Sequence, residues 1–397
     1  MMQRLRPILA VIGWLTVGWG MLFVVAAQVT SDSDDVAILL RADKNGVEQE
    51  NAASAWDRIV ARGPASLPAL LEAASRANPV ALNWIVTAAD YIVDVERANS
   101  RKIPDAVFLS VVENRAAQPK IRWWAWQRLD EQSPELAAKI LEASLDDPAP
   151  QLRRAAIEAA IQKLGDLDSF LSRVEDADVR RTVAAQLERI FEAARDRDQV
   201  EKIAGWLEQL EKPVDLAAHY GYIRSWLVVG PFENTGDSGF DTAFPPETTL
   251  DPHQKYPGKH GEVTWKVVTI DDVHGRVDLN AILGEEKGVT AYAWAVIEVE
   301  KEQPAEIRWA TPNATKLWLN GQLLAVFHVY HSGYEDDQYR VECRLKPGKN
   351  QLLLKICQNE QTQDWARPWE FRLRVCDALG GGVGRVATIA LPANHKK

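Results

Sequence analysis

The stretch Ile223-Arg-Ser-Trp226-Leu-Val-Val-Gly230-Pro231-Phe232-Glu-Asn234 divides two kinds of sequence. Before it, the chain is rich in Ala, Leu and Arg and repeats with helical spacing. After it, Gly and Pro punctuate short runs of Val, Ile, Trp and Tyr. The apolar run Ile223–Val229 reads as a strand, and Gly230-Pro231 as the tight turn that ends it. The stretch is therefore expected to be the first strand of a β domain and the hinge from which a helical domain hangs.

Downstream of Phe232 a long irregular segment reaches Gly261. Loops of that length inside compact domains are functional or packed by their own side chains, and Phe232, Phe240, Phe244 and Tyr256 favour packing. Strand-like runs follow at Val263–Ile270, Val289–Glu300, Ala305–Ala310, Thr315–Leu319, Leu323–Tyr330, Gln338–Leu345, Gln351–Cys357 and Trp369–Val375. Asn320-Gly321 is a hairpin signal, and Pro347-Gly348 marks another turn. Tyr339, Val341, Cys343 and Leu345 alternate as in a strand with one buried face. Short strands with Gly/Pro turns imply an antiparallel β-sandwich or jelly roll rather than a parallel sheet.

Upstream, Leu152, Ala155, Ala156, Ala159 and Ala160 lie on one face of an amphipathic helix. Helix openings recur at Pro119-Lys-Ile-Arg122, Pro150-Gln-Leu-Arg153 and Asp178-Val-Arg180, with a fainter copy at Asn78-Pro79-Val80. A period of about 27–40 residues is that of stacked helical pairs. Arg122, Arg153 and Arg180 are expected to form a ladder with acids of the preceding turns, such as Asp146, Asp147, Glu175 and Asp176. Leu145-Asp-Asp147-Pro148-Ala-Pro-Gln-Leu152-Arg153-Arg-Ala-Ala156 resembles a HEAT-type repeat, which implies an α-solenoid followed by the sandwich.

In the β half, Lys316-Leu-Trp318-Leu-Asn320-Gly321, Leu345-Lys-Pro-Gly348-Lys-Asn350-Gln-Leu-Leu-Leu-Lys355 and Trp369-Glu-Phe-Arg-Leu-Arg374 resemble the galactose-binding-like jelly roll. That module is common beside bacterial glycoside hydrolases, so the resemblance implies a carbohydrate ligand. The segment Trp226-x-x-x-Gly230-Pro231-Phe232, Pro245-Pro246-Glu247 and Gly258-Lys259-x-Gly261 is similar to one in exported bacterial proteins of unassigned function, and implies no catalytic role.

At the N-terminus, Arg4 and Arg6 precede an apolar run from Pro7 to Ala27. A helix rising 1.5 Å per residue crosses a bilayer core of about 30 Å over such a run. Val25-Ala26-Ala27 also offers the small residues of a cleavage site. The run is thus an uncleaved inner-membrane anchor or a signal peptide, and Asp32, Asp34 and Asp35 beyond it place the body on the exported side. The protein is expected to be periplasmic or cell-surface. A net charge of -10 opposes nucleic-acid binding. The three cysteines, Cys343, Cys357 and Cys376, leave at least one thiol free in a monomer, and Cys357 and Cys376 stand as an unresolved pairing. The organisation expected is leader or anchor 1–30, linker 31–52, HEAT-like repeats 53–218, sandwich 219–380 and flexible tail 381–397.

Candidate chemistry is sparse. His328-Val-Tyr-His331 with Glu335-Asp336-Asp337 is the densest ionisable group, but alternate strand faces suit a single metal poorly. No metal ion or cofactor is implied; a structural calcium on the loop acids is the one ion that would suit. Gly380-Gly-Gly-Val-Gly384 has no helix after it to hold a phosphate. No nucleophile elbow, His-Glu-x-x-His or Cys-x-x-Cys is present, so no catalytic residue is assigned. Asn313-Ala-Thr315 is a formal glycosylation acceptor. The fifteen Trp residues mostly read as core. Sugars stack on aromatic rings and hydrogen-bond amides, acids and imidazoles, and two loops hold that mixture. Tyr330, His331, Tyr334, Asp336, Asp337, Asn359 and Trp365 are therefore the ligand-site candidates. The expected function is a non-catalytic glycan or cell-envelope polymer binder, with the repeats as scaffold. The alternative is a protein–protein scaffold that uses the solenoid face, with a carbohydrate-active hydrolase third.

Overall fold

The structure, a computed structural model, describes residues 33–46 and 48–387. These residues divide into two compact units, the first ending at Asp166 and the second beginning at Leu167. Helices come first and antiparallel sheets follow.

The first unit is helical: α1 (33–41), α2 (Gln49–Arg62), α3 (Leu67–Ala74), α4 (Pro79–Ala98), α5 (Asp105–Val112), α6 (Pro119–Gln132), α7 (Pro134–Glu142) and α8 (Pro150–Lys163). Proline opens α4, α6, α7 and α8, where its missing N–H leaves no bond unmade. Asn78 caps α4, accepting from Val80 N at 2.9 Å and Ala81 N at 3.1 Å. The helices bury Ala and Leu faces in one core. Residues 31–52, expected as linker, contribute α1 to that core through Val36 and Leu39. Asp35 anchors α1 to α2 through Arg58 at 2.6 Å and Arg62 at 2.8 Å.

The arginine ladder is real in part. Arg122 grips Asp147 of the following turn with two N–H donors, at 2.5 and 2.8 Å, with both side chains buried. Arg153 reaches the Asp147 carbonyl at 3.4 Å. In the second unit Arg180 instead donates to the carbonyls of Val174 and Gln209, while Asp176 caps its own helix. Acids already used by a helix end are not free to pair.

The second unit begins with α9 (Leu167–Leu171), α10 (Ala177–Ala193), α11 (Arg197–Gln209) and α12 (Leu216–Tyr220). The expected junction at 218/219 thus differs from the division of compact units. The backbone explains why: Ile223 N bonds Leu373 O, Val375 N bonds Gly221 O and Gly382 N bonds His219 O, so α12 runs directly into sheet pairing.

The first strand, β1 (Ser225–Glu233), does not stop at Gly230-Pro231; it continues through a register shift between Val229 and Phe232. The other strands are β2 (Lys255–Gly258), β3 (Gly261–Thr264), β4 (Lys266–Thr269), β5 (Val277–Asp278), β6 (Val289–Val299), β7 (Gln303–Ala310), β8 (Ala314–Leu319), β9 (Gln322–Phe327), β10 (Tyr339–Leu345), β11 (Gly348–Gln358), β12 (Glu370–Cys376) and β13 (Arg385–Ala387). Short helices α13 (Ser238–Asp241) and α14 (Leu279–Leu283) interrupt them. One sheet runs β4-β1-β6-β11-β8-β9, with β13 also on β6; a second runs β10-β7-β12-β5; β2 and β3 form a hairpin.

Both large sheets contribute to one core, with Trp226, Val228, Ala293 and Leu354 from the first and Ile307, Trp309 and Leu373 from the second. Strand β6 is buried on both faces, which is why its sequence is apolar almost throughout. Its other face carries Tyr292 and Trp294, covered by Phe244, Leu250 and Tyr256 of the long segment after β1 and by Trp265 between β3 and β4. That segment is indeed packed by its own rings: Phe232 lies 4.9 Å from Phe244 and 6.3 Å from Tyr256. It is also tied by charge. Lys355, fully buried, donates to Phe240 O (3.0 Å), Thr242 O (2.7 Å) and Glu247 Oε1 (2.8 Å), which fills its three donors.

The glycine run is neither a phosphate loop nor, through Ala387, a tail. Gly382 lies so close to α12 that a Cβ would sit 2.3 Å from Ala218 O and 2.7 Å from Gly221 N. Beyond it, β13 pairs β6 from Glu298 to Val296. Cys343, Cys357 and Cys376 are all free. Asn313 is fully buried, so the folded chain does not present it as a glycosylation acceptor. Among the described residues no helix is long and apolar enough to cross a membrane; the run Pro7–Ala27 lies outside them.

Candidate functional site

At the end of the sheets where β6 begins and β11 finishes, four connections gather: those after β1, β7, β9 and β11. Beneath them lies a buried polar knot. Asn313 Nδ2 donates to Gln358 Oε1 at 2.9 Å, and Gln358 Nε2 donates to the carbonyls of Ala366 (3.1 Å), Arg367 and Pro368 (both 3.3 Å). Asn313 Oδ1 accepts from Glu370 N, and Asn234 Nδ2 donates to Gln358 O at 3.1 Å. The Asn313 and Gln358 side-chain amides are bonded through both oxygen and nitrogen, as burial demands, and so fix the loops above them. Lys287 adds a further tie, from Nζ to Ala366 O at 2.7 Å.

Upon this base the loops after β9 and β11 meet. His331 Nε2 lies 3.1 Å from Asn359 Oδ1, and its ring stands edge-on to Trp365 with centroids 4.9 Å apart. Trp365 is 59% exposed on a short turn (Asp364–Ala366), the only Trp among the large exposed apolar residues described. Tyr330 donates to Asp237 Oδ1 and accepts from Asn234 Nδ2 at 3.2 Å. Burial and the Asp237 bond together hold the Tyr330 hydroxyl protonated well above its usual range. His328 reaches the other Asp237 oxygen and stacks on Phe240 at 4.0 Å. Asp237 and His331 both adopt left-handed backbone, φ 63° and 56°, where non-glycine residues are uncommon.

Tyr330, His331, Asn359 and Trp365 are thus brought together. Tyr334, Asp336 and Asp337 are not: the loop turns them onto the outer face of the smaller sheet. Asp337 pairs with Arg374 in a two-pronged contact and with Arg308 Nη1 at 2.9 Å. Burial pushes the Asp337 carboxyl upward, but Arg374 and Arg308 outweigh it and hold it below the usual carboxylate range. Asp336 pairs with Arg372 at 2.8 Å, and Arg372 also lies over the Tyr334 ring. These acids complete a structural ion network.

Residue-by-residue reasoning missed Asn234, Asp237, Asn313 and Gln358, which support the rings from below. Only Asn313 carried a signal, and it was the wrong one, a surface sequon. His328 and His331 face different partners, and no group of three or more His, Cys, Asp or Glu that could hold a metal occurs among the described residues.

No family model matches the chain, and no curated protein is similar to it. Among solved structures it is similar to the β-glucosidase of Kluyveromyces marxianus, in one case in complex with glucose. That likeness has 10% identity and a TM-score of 0.24, covering 38% of this chain and 16% of that one. It is also similar to a Faecalibacterium prausnitzii β-glucuronidase, at 11% identity and a TM-score of 0.23, covering 40% of this chain and 32% of the enzyme. The chain therefore spans a third or less of those enzymes' lengths, and likeness of this degree carries no argument about activity.

Proposed function

We propose that the chain is an exported, non-catalytic binding protein whose β region, a sandwich of galactose-binding-like jelly-roll type, holds a glycan or cell-envelope polymer. HEAT-like helical repeats act as its scaffold. The observation that carries this reading is the contact of His331 with both Asn359 and Trp365, which sets an exposed indole face beside amide and imidazole groups. Sugar C–H faces stack on such a ring while hydroxyls bond its polar neighbours. Export rests on the apolar run Pro7–Ala27 and the charges around it.

One observation favours the scaffold alternative. On α4, Tyr91 is 49% and Val95 38% exposed, with Trp56 of α2 edge-on to Tyr91 at 5.4 Å, an aromatic strip suited to a protein partner. A panel of soluble and insoluble polysaccharides, probed with the full chain, separates the two. The glycan reading expects retention by at least one polymer at millimolar sugar. No retention by any polymer, with a protein recovered in pull-downs that Tyr91→Ala loses, would establish the scaffold instead.

A further inference from the structure

The core between the sheets is sealed at the loop end by the Asn313–Gln358 knot. At the other end it opens into a cleft of about 430 Å³, within the size range of small-molecule sites. The floor is aliphatic. Ile223, Ile297 and Val375, no more than 2% exposed, belong to the sheet core, and Ile270 and Val383 pack on it. A hydrocarbon entering here would extend an existing core, and the gain would scale with chain length.

The rim decides the head group. Arg224 already donates to Asp215 at 2.6 Å, and Arg385 to Glu298 at 2.9 Å. Asp271 adds a further carboxylate to the lining. Both guanidiniums are thus neutralised, and an anionic head would meet no net positive charge. Ser225 and Thr269, also in the lining, offer hydroxyl partners to a neutral head. We propose that this cleft binds a single aliphatic chain of about six to ten carbons with an uncharged, hydroxyl-bearing head. The site lies at the opposite end of the sheets from Trp365 and is independent of the glycan reading.

Calorimetric titration of the full chain with 1,2-hexanediol, 1,2-octanediol and octanoate tests the proposal, since none contains a sugar. Saturable binding is expected for the diols, tightening about fourfold per added methylene, with octanoate at least about tenfold weaker than the octanediol. Ala218→Trp fills the cleft from an exposed helix position and should abolish binding with the melting temperature unchanged. Thr269→Trp, on the exposed edge strand, does the same if the first variant does not fold. No saturable binding of octanediol below about 10 mM, binding that survives a folded blocking variant, or octanoate binding equal to the diol would each overturn it.

Discussion

The two halves of the loop between β9 and β10 carry similar residues and meet different fates. In His328–His331, His331 meets the Trp365 turn while His328 and Tyr330 meet Asp237, and the rings stay partly open to solvent. Tyr334–Asp337 lies on Arg308, Arg372 and Arg374, where its charges are consumed. Composition alone makes both halves equal candidates for sugar binding. What separates them is the outer face of β7 and β12, where Arg308, Arg372 and Arg374 demand partners and take the nearest acids.

The largest expected effect falls on the second half. Asp337→Ala leaves Arg374 and Arg308 partly buried without their shared carboxylate, and should lower unfolding free energy by about 2–4 kcal/mol in urea melts. Glycan binding by the folded fraction should be unchanged. Next comes the knot beneath the first half. Asn313→Ala strands Gln358 Oε1 and the Glu370 N–H, and should cost about 1–3 kcal/mol of stability while also weakening ligand binding. Loss of binding with Asp337→Ala, or its retention with Asn313→Ala, would merge the two regions again.

Acid sharpens the same contrast. Asp337 and Glu233 both have lowered folded pKa values; Glu233 falls to about 2 through the Thr235 hydroxyl and N–H, and Lys259. A depressed carboxylate stabilises the fold fully above its unfolded value, and that contribution disappears as pH falls through the folded one. Stability should therefore drop between about pH 4.5 and 2, and Asp337→Asn should flatten part of that drop.

The change from helices to sheets was legible at Ile223–Asn234, because helical repeats give way there to an apolar run, Ile223–Val229, followed by Gly230-Pro231. Loop packing was legible from the aromatic spacing of Phe232, Phe244 and Tyr256. Three features were hidden. β1 runs through Gly230-Pro231, because the break in pairing is absorbed as a shift of register on β6. The glycine run reads locally as flexible, yet its role is close approach to Gly221 and Ala218, partners distant in sequence. In the site, the exposed ring and its histidine could be named from type and position. The supporting amides could not, since Asn234, Asn313 and Gln358 look like ordinary loop residues until the fold buries them together.

The smallest expected change to the fold is also the most direct test of the function. Trp365→Ala removes an exposed ring that contributes little core, so stability should stay within about 0.5 kcal/mol of wild type. Titrated with the polysaccharide that the wild-type chain retains best, the variant should bind at least about fivefold more weakly, a loss of about 1 kcal/mol or more. Equal affinity of Trp365→Ala and wild type for that polymer would contradict the assignment of the glycan site to the His331–Asn359–Trp365 surface.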